Sequence, residues 1–493
     1  MDRREFLQKS AAASMAVALK SRGQKKPNPR KPNLLYVFSD QHRACALPGE
    51  HYNQAIAPNI DAFRHQNFSM ETCVSNYPLC TPYRGIFMSG RWPCQTGLVT
   101  NGVPLSIEEV SIGDTFKSNG YHTGYIGKWH LAGPERGFIP AGPRRFGFED
   151  WHVWSATNNH YGSWTYDPDT GQKIQPEGYN ATLMTDQAVK FLGEQPKNKP
   201  WMLVLSWNPP HPPFNPPPTD RDRYQSSDLK LRPNVRLAAP GQKMVGINKY
   251  LVSQEDLRTA EQGYYGAITA IDLEFARVLK ALEESGHADN TIVIYTSDHG
   301  EMMGSHGHMA KQMPHEESCR VPFFVRYPGV TPNGGKSNIL FSAIDIYPTL
   351  CGLAGIPVPG HCGGRDLSAA MRGEKITSQE VVFLMNDTGK PGTQEIFQPG
   401  YRGARTLTHT YAVMATGRWC LYDNAADPYQ LNNLIKDPAQ APLIQKLDAM
   451  IQVWMQKTGD NFPYKQALGK YSNYPDYPDF SLDLELARKN GIT

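Results

Sequence analysis

Four apolar runs in this chain each stop abruptly at a cluster of ligand-type and proton-transfer residues. In PNLLYVFSDQHR (32–43) the apolar stretch 34–38 gives way to Ser39, Asp40, Gln41 and His42. GYHTGYIGKWH (120–130) runs into Lys128 and His130, and PWMLVLSWNPPHPPF (200–214) into a proline-rich loop holding His211. NTIVIYTSDHGEMMGSHG (290–307) ends in Asp298, His299 and Glu301. Strands that are apolar without interruption are buried on both faces, as in a parallel sheet covered by helices. The clearest intervening helix spans 254–285, where Leu257, Ala260, Tyr264, Ile268, Ile271, Phe275, Val278 and Leu282 recur at three- or four-residue steps. The alternation predicts an α/β fold built on a large, doubly wound, mostly parallel sheet. In such a fold ligands bind beyond the carboxyl ends of the strands, where all four polar clusters lie.

From about residue 375 the pattern changes. VVFLM (381–385), YAVMATG (411–417) and WCLYD (419–423) read as short strands with turn-rich gaps, followed by a helix at 441–456. This predicts a smaller C-terminal antiparallel α+β domain over 376–493, after a main domain over 32–375.

The formal charge of +3 is misleading, because residues 1–31 hold nine Lys/Arg against Asp2 and Glu5 and leave the remainder mildly acidic. A global basic footprint for nucleic acid is therefore excluded. The same 31 residues carry paired arginines in DRREFLQK and then AAASMAVAL (11–19), an apolar run too short to span a bilayer. They read as a twin-arginine-type export signal and basic linker, with Ala16 and Ala18 offering a cleavage site, and predict a periplasmic or secreted protein served by export machinery. The eight cysteines show no paired C-x-x-C spacing, which argues against a zinc site or a disulfide framework.

Asp40-Gln41 and Asp298-His299 are two pairs of ligand-type residues in the same topological position. Oxygen-rich sets of this kind favour a hard divalent cation such as Ca²⁺ or Mg²⁺. Lys128, His130, His211 and Lys311 with Arg84 would make a local cationic pocket suited to an oxyanion. In LCTPYRGIFMSGR (79–91), Cys80 stands at a helix start marked by Thr81 and Pro82, with Arg84 one turn on. The positive helix end and the arginine both favour a thiolate.

Taken together these segments resemble the formylglycine-dependent sulfatases of the alkaline phosphatase superfamily. Cys80-Thr81-Pro82-Tyr83-Arg84 matches the family's Cys-x-Pro-x-Arg, followed by Ser89-Gly90 where Thr-Gly is usual. GYHTGYIGKWH is similar to the second signature, PPHPPF to the P-H-x-P loop, and SDHGEMMGSHGHMAKQMPHEESCRVPF to the block with two metal ligands and a lysine. LYDNAADPYQLNNL (421–434) is similar to the C-terminal segment. The resemblance implies that a maturation enzyme oxidises Cys80 to formylglycine. It implies one Ca²⁺ on Asp40, Gln41, residue 80, Asp298 and His299. Arg84 and Lys128 would hold the hydrated aldehyde, His130 would assist its deprotonation, and His211 with Lys311 would bind the ester and protonate its leaving oxygen. The implied activity is hydrolysis of sulfate monoesters of a carbohydrate or small organic sulfate. Asp40-Gln41, where many members have two Asp, also resembles members acting on choline sulfate or phosphonate monoesters. A phosphonate or phosphate ester hydrolase is thus the alternative, and an inactive exported sulfated-glycan-binding protein a further one. The aromatic segment WHVWSATNNHYGSWTY (151–166) reads equally as a sugar-stacking wall or as packing.

Overall fold

The computed structural model describes residues 30–50, 52, 54–133, 137–154, 158–237, 254–387 and 400–463. The export segment, except residues 30 and 31, and the tyrosine-rich tail at 471–480 lie outside the described residues.

Eight strands form the main sheet: β1 (Asn33–Asp40), β2 (Phe68–Met70), β3 (His122–Lys128), β4 (Asp150–Trp154), β5 (Trp201–Pro210), β6 (Thr291–Ser297), β7 (Phe323–Arg326) and β8 (Lys336–Ser337). Their spatial order is β8-β2-β7-β6-β1-β5-β3-β4. The stretch from β6 to β4 is parallel throughout, whereas β7 runs antiparallel to both neighbours. The apolar runs thus occupy the centre of the sheet.

Alternation along β1 shows why the run has no polar face. Leu34, Tyr36 and Phe38 enter one hydrophobic core and Leu35 and Val37 the other, all fully buried. Helix α1 (Cys80–Ser89) and helix α4 (Ala343–Ala354) supply residues to the first core; α2 (Asn180–Glu194) and α3 (Gln254–Glu284) cover the second. The helix expected at 254–285 is α3, with its predicted apolar stripe buried.

A second, four-stranded sheet consists of β9 (Val382–Asn386), β10 (Tyr401–Arg405), β11 (His409–Met414) and β12 (Gly417–Asp423), all antiparallel, with α5 (Ala441–Thr458) beside it. Met385, Ala404, Tyr411 and Leu421 share the core that holds Leu34 and Phe38, so the smaller unit is continuous with the main one. Among the described residues no helix is long and apolar enough to cross a membrane. Trp151 and Trp154 are buried in the cores, so the strand half of the aromatic segment is packing.

Candidate active site

Ser39 and Ser297 pair directly at the ends of β1 and β6, so the next residues, Asp40 and Asp298, arrive side by side. The Ser297 hydroxyl accepts from His42 N (2.9 Å) and donates to Ser39 O (3.0 Å), tying the two strand ends together. Gln41 then turns the chain with φ +76°, a left-handed conformation unusual for a non-glycine residue. Its N–H donates to Asp298 Oδ1 (3.0 Å), and its carbonyl accepts from the Tyr264 hydroxyl (2.8 Å).

Helix α1 delivers Cys80 as its first residue and is buried over its whole length. Gly90 ends it at φ +65°, where a Cβ would lie 2.9 Å from Cys362 Sγ and 3.0 Å from the Tyr347 ring. Arg84 projects to the same side as Cys80, one turn later. Its guanidinium donates to Asp40 Oδ2 (3.2 Å), Asp298 Oδ2 (3.3 Å), Lys128 O (2.6 Å) and Ser206 Oγ (2.8 Å). Thr81 Oγ1 donates to His130 O (2.9 Å), so α1 is clasped to the chain leaving β3. Lys128 Nζ reaches Asp40 Oδ2 at 2.6 Å and Cys80 Sγ at 3.9 Å.

Around Cys80 the groups close into one buried nest. His299 Nε2 lies 3.4 Å from Cys80 Sγ, 3.7 Å from Asp40 Oδ1 and 3.6 Å from Asp298 Oδ1. Ligand atoms of Asp40, Cys80, Asp298 and His299 all fall within 4.8 Å of one another. Burial alone would push the Cys80 thiol up. Lys128, Lys311, His299 and a hydrogen bond with His130 outweigh it, and the thiol lies well below its ordinary range. Burial holds His130 below its usual value, despite that hydrogen bond. His211 is pushed down to about 3 by burial and by Lys311 and Lys128. Its Nδ1 donates to Pro212 O (2.6 Å), which leaves the Nε2 lone pair of a neutral ring to hydrogen-bond with Cys80. Lys311 sits nearby with its ammonium donating to Gln41 Oε1.

The structure therefore brings Asp40, Cys80, Arg84, Lys128, His130, His211, Asp298, His299 and Lys311 into one site. The Gln41 backbone belongs to it as well, while its side-chain amide is bonded to Glu301 and Lys311. Sequence reasoning passed over Ser206 and Tyr125, whose hydroxyls bond Arg84 and the Lys128 carbonyl, because both stand inside apolar runs that read as packing. It also passed over His160, whose Nε2 donates to His211 O (2.6 Å) and anchors the catalytic-side loop.

The donor set is chemically suited to a hard divalent cation. Two buried carboxylates and an imidazole converge at separations too long for hydrogen bonds among themselves, with residue 80 closing the group. An oxyanion seated there would meet Lys128 and Lys311.

Comparison with known proteins agrees with this geometry. A sulfatase family model matches residues 32–356, more than half of the chain, and a model of the N-sulphoglucosamine sulphohydrolase C-terminal region matches residues 304–457. An ulvan-active sulfatase of Formosa agariphila is 33% identical over 90% of this chain and 85% of its own length. An endo-4-O-sulfatase of Bacteroides thetaiotaomicron is 29% identical, covering 82% of this chain and 88% of its own. Among solved structures, a protein of glycosaminoglycan metabolism from Bacteroides thetaiotaomicron superposes with a TM-score of 0.77 at 26% identity, covering 89% of this chain and 99% of that one. A phosphonate monoester hydrolase of Agrobacterium radiobacter shares the fold, with a TM-score of 0.72 at 22% identity over 87% of this chain and 96% of that one.

Proposed function

The chain belongs to the sulfatase family and is a sulfuric ester hydrolase, and on that premise we propose that it removes sulfate from carbohydrates using a nucleophile made from Cys80. The observation that carries this reading is the placement of Cys80. It opens a buried helix, touches the carboxylate–imidazole cluster, and has Lys128 and His130 beside it. The relatives named for ulvan and for 4-O-sulfate support a glycan substrate.

Oxidised to formylglycine by a maturation enzyme, residue 80 would supply a hydrated aldehyde, one hydroxyl attacking sulfur and the other later expelling sulfate. A calcium ion held by Asp40, Asp298 and His299 beside residue 80 would supply Lewis acidity against the ester oxygens. The remaining work falls to the chain's own residues. Arg84 is fixed by five acceptors and keeps Asp40 and Asp298 oriented, while Lys128 holds charge beside residue 80. His130 is neutral and hydrogen-bonded to residue 80, placed to take its proton. His211 is neutral in the substrate-free protein because it is buried and because Lys311 and Lys128 oppose its charging. A sulfate seated on those cations offsets them, so substrate binding itself raises His211 toward proton donation at the leaving oxygen. The paired arginines ahead of residues 11–19 fit action outside the cytoplasm.

Mass spectrometry of the peptide containing Cys80 from active protein is expected to show loss of sulfur and two hydrogens and gain of one oxygen. An unmodified thiol in fully active protein overturns the nucleophile. Parallel turnover of aryl sulfate and aryl phosphonate esters is expected to favour the sulfate.

A further inference from the structure

Glu301 is a buried carboxylate that the mechanism above does not use, and its contacts point at a residue that it does. Its Oε1 accepts the backbone N–H of both Met303 (2.9 Å) and Ala310 (2.7 Å). It thereby clips together the two ends of the loop 302–310, where Met302 N also donates to Ala310 O (2.7 Å) and Gly304 N to His308 O (2.8 Å). Lys311 follows immediately. It stands between Ala310 at φ +67° and Gln312 at φ +74°, two left-handed non-glycine residues. Such conformations persist only where neighbours enforce them. Here Glu301 holds Ala310 from one side, and Pro78 O accepts from Gln312 N (3.1 Å) on the other, two residues before Cys80.

The side chains repeat the connection. Gln41 donates its amide N–H to Glu301 Oε2 and accepts the Lys311 ammonium at Oε1, so the three form one chain of hydrogen bonds. All three are nearly or wholly buried. Because Glu301 can only accept, the Gln41 amide has one allowed orientation, and that orientation presents its oxygen to Lys311. The anchor is neutral. A carboxylate at position 41 would cancel part of the Lys311 charge, whereas an amide fixes the ammonium and leaves its charge for an anion.

We propose that Glu301 and Gln41 are positioning residues for Lys311: Glu301 sets the backbone and the Gln41 amide, and Gln41 aims the ammonium at the sulfate. The proposal rests on the reading that Lys311 contacts the sulfate of the substrate. It also assigns the Gln41 side chain to Lys311 and leaves the cation to Asp40, Asp298, His299 and residue 80.

The test uses the mature full-length enzyme and an aryl sulfate. Glu301→Gln keeps an oxygen for Met303 and Ala310 but turns a donor toward Gln41, which reverses the amide and faces it wrongly toward Lys311. Gln41→Met removes the amide and leaves the Glu301 clip untouched, and it serves in place of Glu301→Gln if that variant does not fold. Each is expected to lower kcat/KM by about 10- to 100-fold, as for loss of a hydrogen bond to a charged group. Neither is expected to lower it further in a Lys311→Ala background, and Gln41→Met is expected to keep its metal by elemental analysis. The swap of Gln41→Glu with Glu301→Gln restores both hydrogen bonds, and about a tenfold recovery over Glu301→Gln alone is expected. An equal loss with and without Lys311, loss of metal from Gln41→Met, or a swap no better than the worse single variant each overturns the assignment. Lys311→Ala at wild-type turnover would instead remove the underlying role of Lys311, and the proposal with it.

Discussion

The ends of β1 and β6 are a matched pair with opposite electrostatics. Each strand end carries a serine followed by an aspartate, Ser39-Asp40 and Ser297-Asp298, the serines lie in register, and Arg84 bridges the two carboxylates. Burial penalises charge at both. At Asp40 it is outweighed by Lys128, His211 and His299, and the carboxyl sits well below its ordinary range. At Asp298 burial and the neighbouring Asp40 prevail over His299 and Arg84, and the carboxyl rises to about 6. Lys128 explains the asymmetry, since its ammonium lies 2.6 Å from Asp40 and makes no such contact with Asp298. Two aspartates with the same sequence signature thus do different work. Asp40 stays an anion to low pH, whereas Asp298 takes up a proton more readily and gains most from a bound cation.

The sharpest way to break this comparison is to remove each charge in turn. Asp40→Asn leaves Lys128 and Arg84 buried with too little negative charge, so activity is expected to fall by at least about 1000-fold together with bound metal. Asp298→Asn also loses both, but about tenfold less severely, because only one shared cation is left short. Turnover and elemental analysis of the two variants decide it; equal losses would mean that the strand ends are equivalent.

A smaller effect separates the two in pH. In metal-free protein the folded state binds a proton at Asp298 below about pH 6, while the unfolded chain waits until its ordinary 3.8. Asp298 therefore adds stability as pH falls from about 6 toward 4, and that contribution is lost as pH rises through 6. Asp40 has the opposite sign: its contribution is present above 3.8 and is lost as pH falls below that value. Melting temperatures of metal-free wild type and Asp298→Asn, compared from about pH 7.5 to about 4.5, should show the wild type gaining on the variant by a few degrees through pH 6. Glu261 and Asp272, both lifted to about 7 mainly by burial, titrate alike in the two proteins and cancel. A difference that stays flat with pH would contradict the raised Asp298.

Least disruptive is Ser297→Ala, which cuts the tie between the strand ends and leaves the buried His42 N–H without its acceptor. A loss of about 1–3 kcal/mol of stability is expected by denaturant unfolding, with turnover reduced only a few fold.

The central strands and their terminal aspartates are legible in sequence because both depend on local order: a run buried on two faces, then a break. The helix at Gln254–Glu284 is legible for the same reason. Strand β10 is not. YRGAR carries two arginines, and it enters a sheet because Arg402 meets Asp387 and Asp460 and Arg405 meets Glu316. No periodicity reveals partners that distant. The antiparallel β7 between β6 and β2 is likewise a fact of tertiary pairing. In the site, the residues with unusual chemistry stand out as Cys, His, Lys and Asp, whereas Ser206 and Tyr125 act through hydroxyls hidden in apolar runs. Glu301 was visible in SDHGE, yet its role comes from loop closure around Met303 and Ala310, which spacing alone does not encode.

All ten residues of α1 are buried, and Cys80 is 1% exposed beneath Lys128 and His299. No second enzyme can close around a sulfur so enclosed. If residue 80 is oxidised, the oxidation precedes tertiary structure, and every molecule commits to one of two fates on a single occasion. A chain that meets its maturation enzyme first folds around an aldehyde. A chain that folds first seals in a thiol, with the same shape and the same neighbours, and can be repaired only by unfolding. The yield of active protein is then a race between two rates, and slowing folding would raise it.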